Sequence, residues 1–107
     1  MSKDDLNYQL LKQLTAEPTV SQRSLAHRTG VSVGKVNYCI QALVDKGWIK
    51  VNNFRRRDHK WAYSYLLTPS GIRAKMKLAH SFLARKELEY EALQHEIHTL
   101  RQELASK

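Results

Sequence analysis

The chain is 107 residues long, 42% hydrophobic and formally +8 at pH 7, with a single cysteine. That length suits one domain with a small core, and Cys39 alone excludes an internal disulfide and any multi-cysteine zinc site. No stretch approaches the roughly 20 apolar residues that cross a bilayer, and the opening residues carry Asp4 and Asp5, so neither a transmembrane helix nor a signal peptide is expected.

The positive charge is unevenly spread. Residues 1–86 carry sixteen Lys and Arg against five Asp and Glu, whereas residues 87–107 carry two against five. A basic body with a mildly acidic tail suits a polyanion partner at one end only.

Leu6, Leu10, Leu11 and Leu14 recur at helical spacing, with Asp4 and Asp5 placed to favour the positive end of the helix dipole. Pro18 stops this first helix at Glu17, and Thr19-Val20 reads as a short extended piece. Ser21 caps a second helix containing Leu25 and Ala26, which Gly30 ends. Ser32 caps a third, in which Val36, Ile40, Leu43 and Val44 share one face, and Gly47 stops it. Only Gly30, Val31 and Ser32 separate these two helices, a helix-turn-helix spacing. Trp48–Val51 and Trp61–Leu67 then read as paired strands, with turn formers and a basic cluster across Asn52–Lys60. Thr68 and Pro69 open a last helix that meets no further breaker after Gly71 and can run to about residue 105, roughly 50–55 Å.

Helix, helix, helix, hairpin, helix is the winged helix-turn-helix order, a mainly α (α+β) fold with a two-stranded wing. In that arrangement the second helix of the motif enters the major groove of duplex DNA. Its outward side here offers Ser32, Gly34, Lys35, Asn37, Tyr38 and Gln41: Lys35 for phosphate or guanine, Asn37 and Gln41 for amide pairing with base edges, Gly34 for close backbone approach. Arg55, Arg56, Arg57, His59 and Lys60 crowd like charge onto the hairpin, which a phosphate backbone or a narrow minor groove would relieve. Ser21, Gln22 and Arg23 open the first helix of the motif, where phosphate contacts are common; a plain cap reading of Ser21 is compatible with that.

Along the last helix Ile72, Met76, Ala79, Leu83, Lys86, Tyr90, Leu93, Ile97, Leu100 and Leu104 follow alternating steps of four and three. The part from Ile72 to Ala79 is expected to face the domain's own core. Beyond it Leu83, Tyr90, Leu93, Ile97, Leu100 and Leu104 are expected to pair with a second copy as a coiled coil. Glu96 facing Arg101 of the second copy favours a parallel pair slightly. Glu91, His95 and His98 lie at i, i+4 and i+7 but outside the apolar row, and no metal or other cofactor is expected. Cys39 reads as a buried structural thiol.

Leu25–Ser32 with Val36, then Leu43–Ile49, and the exit Leu67-Thr68-Pro69-Ser70-Gly71, resemble the MarR-type winged-helix regulators. With Asn53-Phe54-Arg55 and the long single last helix, the chain is most similar to the small MarR regulators associated with exopolysaccharide gene clusters. The resemblance implies a homodimeric transcription regulator, commonly a repressor, in the cytoplasm with the nucleoid. It also implies a small phenolic ligand near the winged domains, for which a short first helix and a single last helix leave little concave apolar volume. The expected division is a DNA-binding domain over residues 1–70 and a dimerisation helix over 71–107.

No phosphate loop, nucleophile triad or carboxylate pair points to an enzyme. Two other readings stay open at this level: a low-specificity architectural DNA binder, and a winged-helix module that binds a protein. The residues name no effector, operator or regulated gene.

Overall fold

The computed structural model describes residues 2–106, so Met1 and Lys107, the outer ends of the two expected segments, lie outside the described residues. Helix α1 (Lys3–Ala16) is capped by the Ser2 hydroxyl, which accepts the Asp5 N–H, and it buries Leu6, Leu10, Leu11 and Leu14. Pro18 ends it as expected, but the following residues do not extend. Pro18-Thr19 forms a turn closed by the Val20 N–H on the Glu17 carbonyl, and the Pro18 carbonyl accepts the N–H of Tyr65. A turn lets that carbonyl reach the sheet edge, which is what overrides the extended preference of Thr and Val.

Helices α2 (Gln22–Thr29) and α3 (Val33–Asp45) begin where Ser21 and Ser32 accept the N–H groups of Ser24 and Lys35. Gly47 adopts φ 75°, and the N–H groups of Gly47 and Trp48 fold back on the carbonyls of Val44 and Leu43. This double bond pattern needs a left-handed residue just past the helix, a conformation that costs other L residues about 1 kcal/mol. Leu25 and Ala26 of α2 and Val36, Cys39, Ile40 and Leu43 of α3 join the α1 leucines, Val20, Ile49 and Tyr65 in one core.

Strands β1 (Ile49–Arg55) and β2 (Trp61–Leu67) pair antiparallel from Ile49 opposite Leu67 to Arg55 opposite Trp61. The first strand is longer than its sequence suggests. Asn52 and Asn53 favour turns locally, but they stand opposite Ser64 and Tyr63 in a continuous ladder, and pairing outweighs local preference. The loop shrinks to Arg57-Asp58-His59. The His59 N–H bonds the Arg56 carbonyl, the Arg56 N–H bonds the Lys60 carbonyl, and His59 sits at φ 64°, where such three-residue hairpin loops usually place glycine. His59→Gly should therefore raise stability by about 1 kcal/mol, a rise of roughly 4–8 °C in the melting midpoint. Thermal unfolding followed by circular dichroism checks this, and an unchanged midpoint would show that His59 carries no strain.

Helix α4 (Pro69–Ala105) opens with the Thr68 hydroxyl accepting the Gly71 N–H, and it gives the molecule its long dimension of 68 Å. Its first half lies along α1. The Tyr8 and Phe82 rings meet at 5.1 Å, and Arg85 pairs with Asp5. Partial burial pushes the Asp5 carboxyl up, but hydrogen bonds from Arg85 and Ser2, with the charges of Arg85 and Lys86, hold it below its ordinary value.

One expectation is overturned here. Ile72 and Met76 do not face the core; they are 55% and 62% exposed. The side of α4 turned to the domain carries Gly71, Leu78, Phe82 and Arg85, about a third of a turn away from the apolar row. Gly71 permits the closest approach on that side, so the small and long-stemmed residues do the packing and the apolar row stays outside.

Candidate nucleic-acid interface

Helix α3 divides sharply. Its inner side is fully committed to the core, while Gly34, Lys35, Asn37, Tyr38 and Gln41 all stand in solvent, with Tyr38 68% exposed. Ser32 lies at the same end but spends its hydroxyl as the cap. Val33 is a further exposed residue of this surface that sequence reasoning missed. It stands four residues before Asn37 and hence on the same side of the helix, and an apolar group there can meet a thymine methyl. Cys39 is buried on the inner side.

The start of α2 is tied to both neighbours. The Asn37 amide donates to the Gln22 side-chain oxygen at 3.2 Å, and the Gln22 amide donates to the Tyr65 hydroxyl at 3.2 Å. Gln22, expected at a phosphate, is thus half-buried and acts as a strut joining the reading helix to β2. Ser21 is exposed and serves as the cap, and Arg23 is exposed beside it.

The wing carries its cations on the outside. Arg55 lies with its guanidinium 5.7 Å from the Trp61 ring, and Arg56 approaches Asp58 at 3.7 Å. Arg57, His59 and Lys60 occupy the exposed tip. Of the three expected groups, the fold brings the α2 start directly against the α3 outer face and the base of the wing. The tip extends further out.

The winged helix-turn-helix DNA-binding family model matches residues 3–50. No curated protein matches the chain. Among solved structures, a MarR regulator from Methanosarcina mazei Go1 superposes with a TM-score of 0.64 at 21% identity, over 80% of this chain and 60% of its own. The PcaV regulator of Streptomyces coelicolor gives 0.63 at 18% identity, over 94% and 78%, and BldR of Sulfolobus solfataricus 0.60 at 22%, over 95% and 73%. This chain has the fold of the MarR regulators, and its residues 3–50 match the winged helix-turn-helix model.

Compared with the Methanosarcina protein, the chain spans 60% of the length, and within the MarR fold two features bear on partners. The first is a cleft of about 480 Å³ where α1, β2 and α4 meet, walled mainly by Leu14, Pro18, Leu66, Leu67 and Ile72. The sequence suggested little concave apolar volume; Pro18 at its turn and the partly exposed Ile72 both line this cleft, and its size falls within the range of small-ligand sites. The second is the row along α4. Leu83, Tyr90, Leu93, Ile97, Leu100 and Leu104 are all exposed, and with Ile72 and Met76 they make an apolar stripe interrupted only by Lys86. Among the described residues no group of His, Cys, Asp or Glu is placed to hold a metal, and no helix is long and apolar enough to cross a membrane.

Proposed function

We propose that this protein is a sequence-specific transcription regulator that binds duplex DNA as a homodimer. The carrying observation is the outer face of α3, where Val33, Asn37, Tyr38 and Gln41 stand in solvent next to Lys35 and an exposed glycine. Asparagine, tyrosine and glycine lower helix propensity there and contribute no packing, while their edges match base-pair chemistry. In this reading α3 of each subunit enters a major groove, Ser21 and Arg23 meet phosphate, and the arginine wing lies on flanking DNA. The α4 stripes of two copies cover one another. Repression, and exopolysaccharide genes as the target, follow from the resemblance stated above. The protein would act in the cytoplasm at the nucleoid and carry out no catalysis itself.

The test is selection of genomic duplex fragments by purified protein at physiological salt with excess random competitor. Recovery of an inverted repeat supports the reading, whereas uniform recovery would mean an architectural binder and no recovery a protein partner. Joint replacement of Arg55, Arg56 and Arg57 by alanine should weaken every duplex on the order of 100-fold at physiological salt and flatten the salt slope by about 3, from counterion release alone. Fluorescence anisotropy across a salt series measures both, and unchanged values would remove the wing from the interface.

A further inference from the structure

Trp61, Tyr63 and Tyr65 alternate along β2 and so share one face of the hairpin. They are not equivalent. Tyr65 belongs to the core, Tyr63 stacks on it with centroids 6.5 Å apart, and Trp61 continues outward. Tyr63 and Trp61 remain 54% and 66% exposed, an aromatic surface that water disfavours and that no core contact requires. Together they form one wall of a cleft of about 360 Å³. Thr19, Ser21 and Gln22 line it from the start of α2, and Arg56 of the wing lines it as well.

The position of this cleft identifies its occupant. Gln22, in the wall, accepts the hydrogen bond from Asn37, so the cleft opens directly beside the reading face of α3. A major groove is only about 12 Å wide and is bordered on both sides by sugar-phosphate backbone. A helix in the groove therefore brings a backbone strand against whatever stands next to it. The local charge agrees: Arg56 lines the cleft, Arg23 follows Gln22 in the chain, and Arg55, Arg57 and Lys60 belong to the same wing, against Asp58. The rings suit the apolar faces of deoxyribose, which arginines alone do not serve.

We propose that the cleft between the start of α2 and the wing seats the deoxyribose-phosphate backbone bordering the groove read by α3, with Arg56 on a phosphate and the rings of Trp61 and Tyr63 packed on the sugars. Trp61 and Tyr63 then provide affinity that salt does not screen. The inference rests on the DNA-binding reading above and assigns two contact residues that carry no charge.

The chain contains two tryptophans, Trp48 and Trp61, so Trp48→Phe leaves Trp61 as the sole tryptophan, excited selectively at the red edge where tyrosine does not absorb. Titrating that variant with a random-sequence 24-base-pair duplex at low salt, with binding followed independently by anisotropy, should quench Trp61 in step with binding. In the otherwise unaltered chain, Trp61→Ala should weaken the same duplex about tenfold with the salt slope unchanged, while Arg56→Ala lowers the slope by about 1. Tyr63→Ala should resemble Trp61→Ala. A bound duplex that leaves Trp61 emission untouched, or a Trp61→Ala protein that binds as tightly as the parent, overturns the proposal while DNA binding itself stands. Failure of the intact protein to bind any duplex would overturn both.

Discussion

Gly71→Ala should lower stability by about 3 kcal/mol and the melting midpoint by roughly 12–24 °C. A Cβ at this position would lie 1.9 Å from the Trp48 carbonyl oxygen and 2.8 Å from its carbon, and both are backbone atoms that no rotamer change can move aside. The same carbonyl accepts the Thr68 N–H at 3.0 Å, and the Thr68 hydroxyl bonds both the Gly47 carbonyl and the Gly71 N–H. The methyl therefore has to lift α4 away from the end of α3, breaking the joint between the helix-turn-helix and the long helix. Gly34→Ala is the internal control. Nothing but the Ser32 hydroxyl oxygen comes within 4.0 Å of a Cβ there, so alanine should leave stability unchanged or raise it by up to about 1 kcal/mol. Denaturant melts of the two variants side by side decide the matter; equal losses would mean that Gly71 is not a close-approach position.

The contrast between these glycines shows what the chain reveals locally and what it hides. Helix ends were legible because caps and breakers act within a few residues. Ser21, Ser32 and Thr68 each accept the N–H three residues ahead, and Gly30, Gly47 and Pro18 stop helices where their own backbone chemistry requires. Gly71 could be noticed in the exit from the wing, but its reason, the Trp48 carbonyl, is a contact between elements. Asn52 and Asn53 misled in the opposite direction: as turn formers they hid four further rungs of β1, which depend on the partner strand. Gln22 looked free for phosphate because its partner Tyr65 lies 43 residues away.

Helix α4 is the sharpest case. Its four-and-three row is apolar apart from Lys86, yet a period says only that a stripe exists and not which side meets the domain. The packed side, through Gly71, Leu78, Phe82 and Arg85, is less apolar than the row left in solvent. Packing followed close approach at Gly71 and the aromatic and ionic contacts with Tyr8 and Asp5 rather than hydrophobicity alone.

Because that row stands outside, it offers a second copy a seam from Ile72 to Leu104 that only Lys86 interrupts. Ile97→Glu should abolish the proposed homodimer. A carboxylate buried in the seam of each subunit loses its hydration without a partner, a cost of several kcal/mol per subunit. The winged body should be unaffected, since Ile97 lies beyond the last contacts with α1, at Phe82 and Arg85. Helical signal should nonetheless fall, because the residues past Arg85 then form a lone helix of about 20 residues, marginal in water without packing. On DNA the two motifs would no longer be linked. Affinity for an inverted repeat should drop by about two to four decades, while affinity for a single half-site stays as it was. Sedimentation at micromolar concentration, circular dichroism and anisotropy on the two duplexes read these effects separately. A variant that sediments as a dimer and keeps its preference for the repeat would mean that two copies meet elsewhere, and the stripe would then need a different occupant.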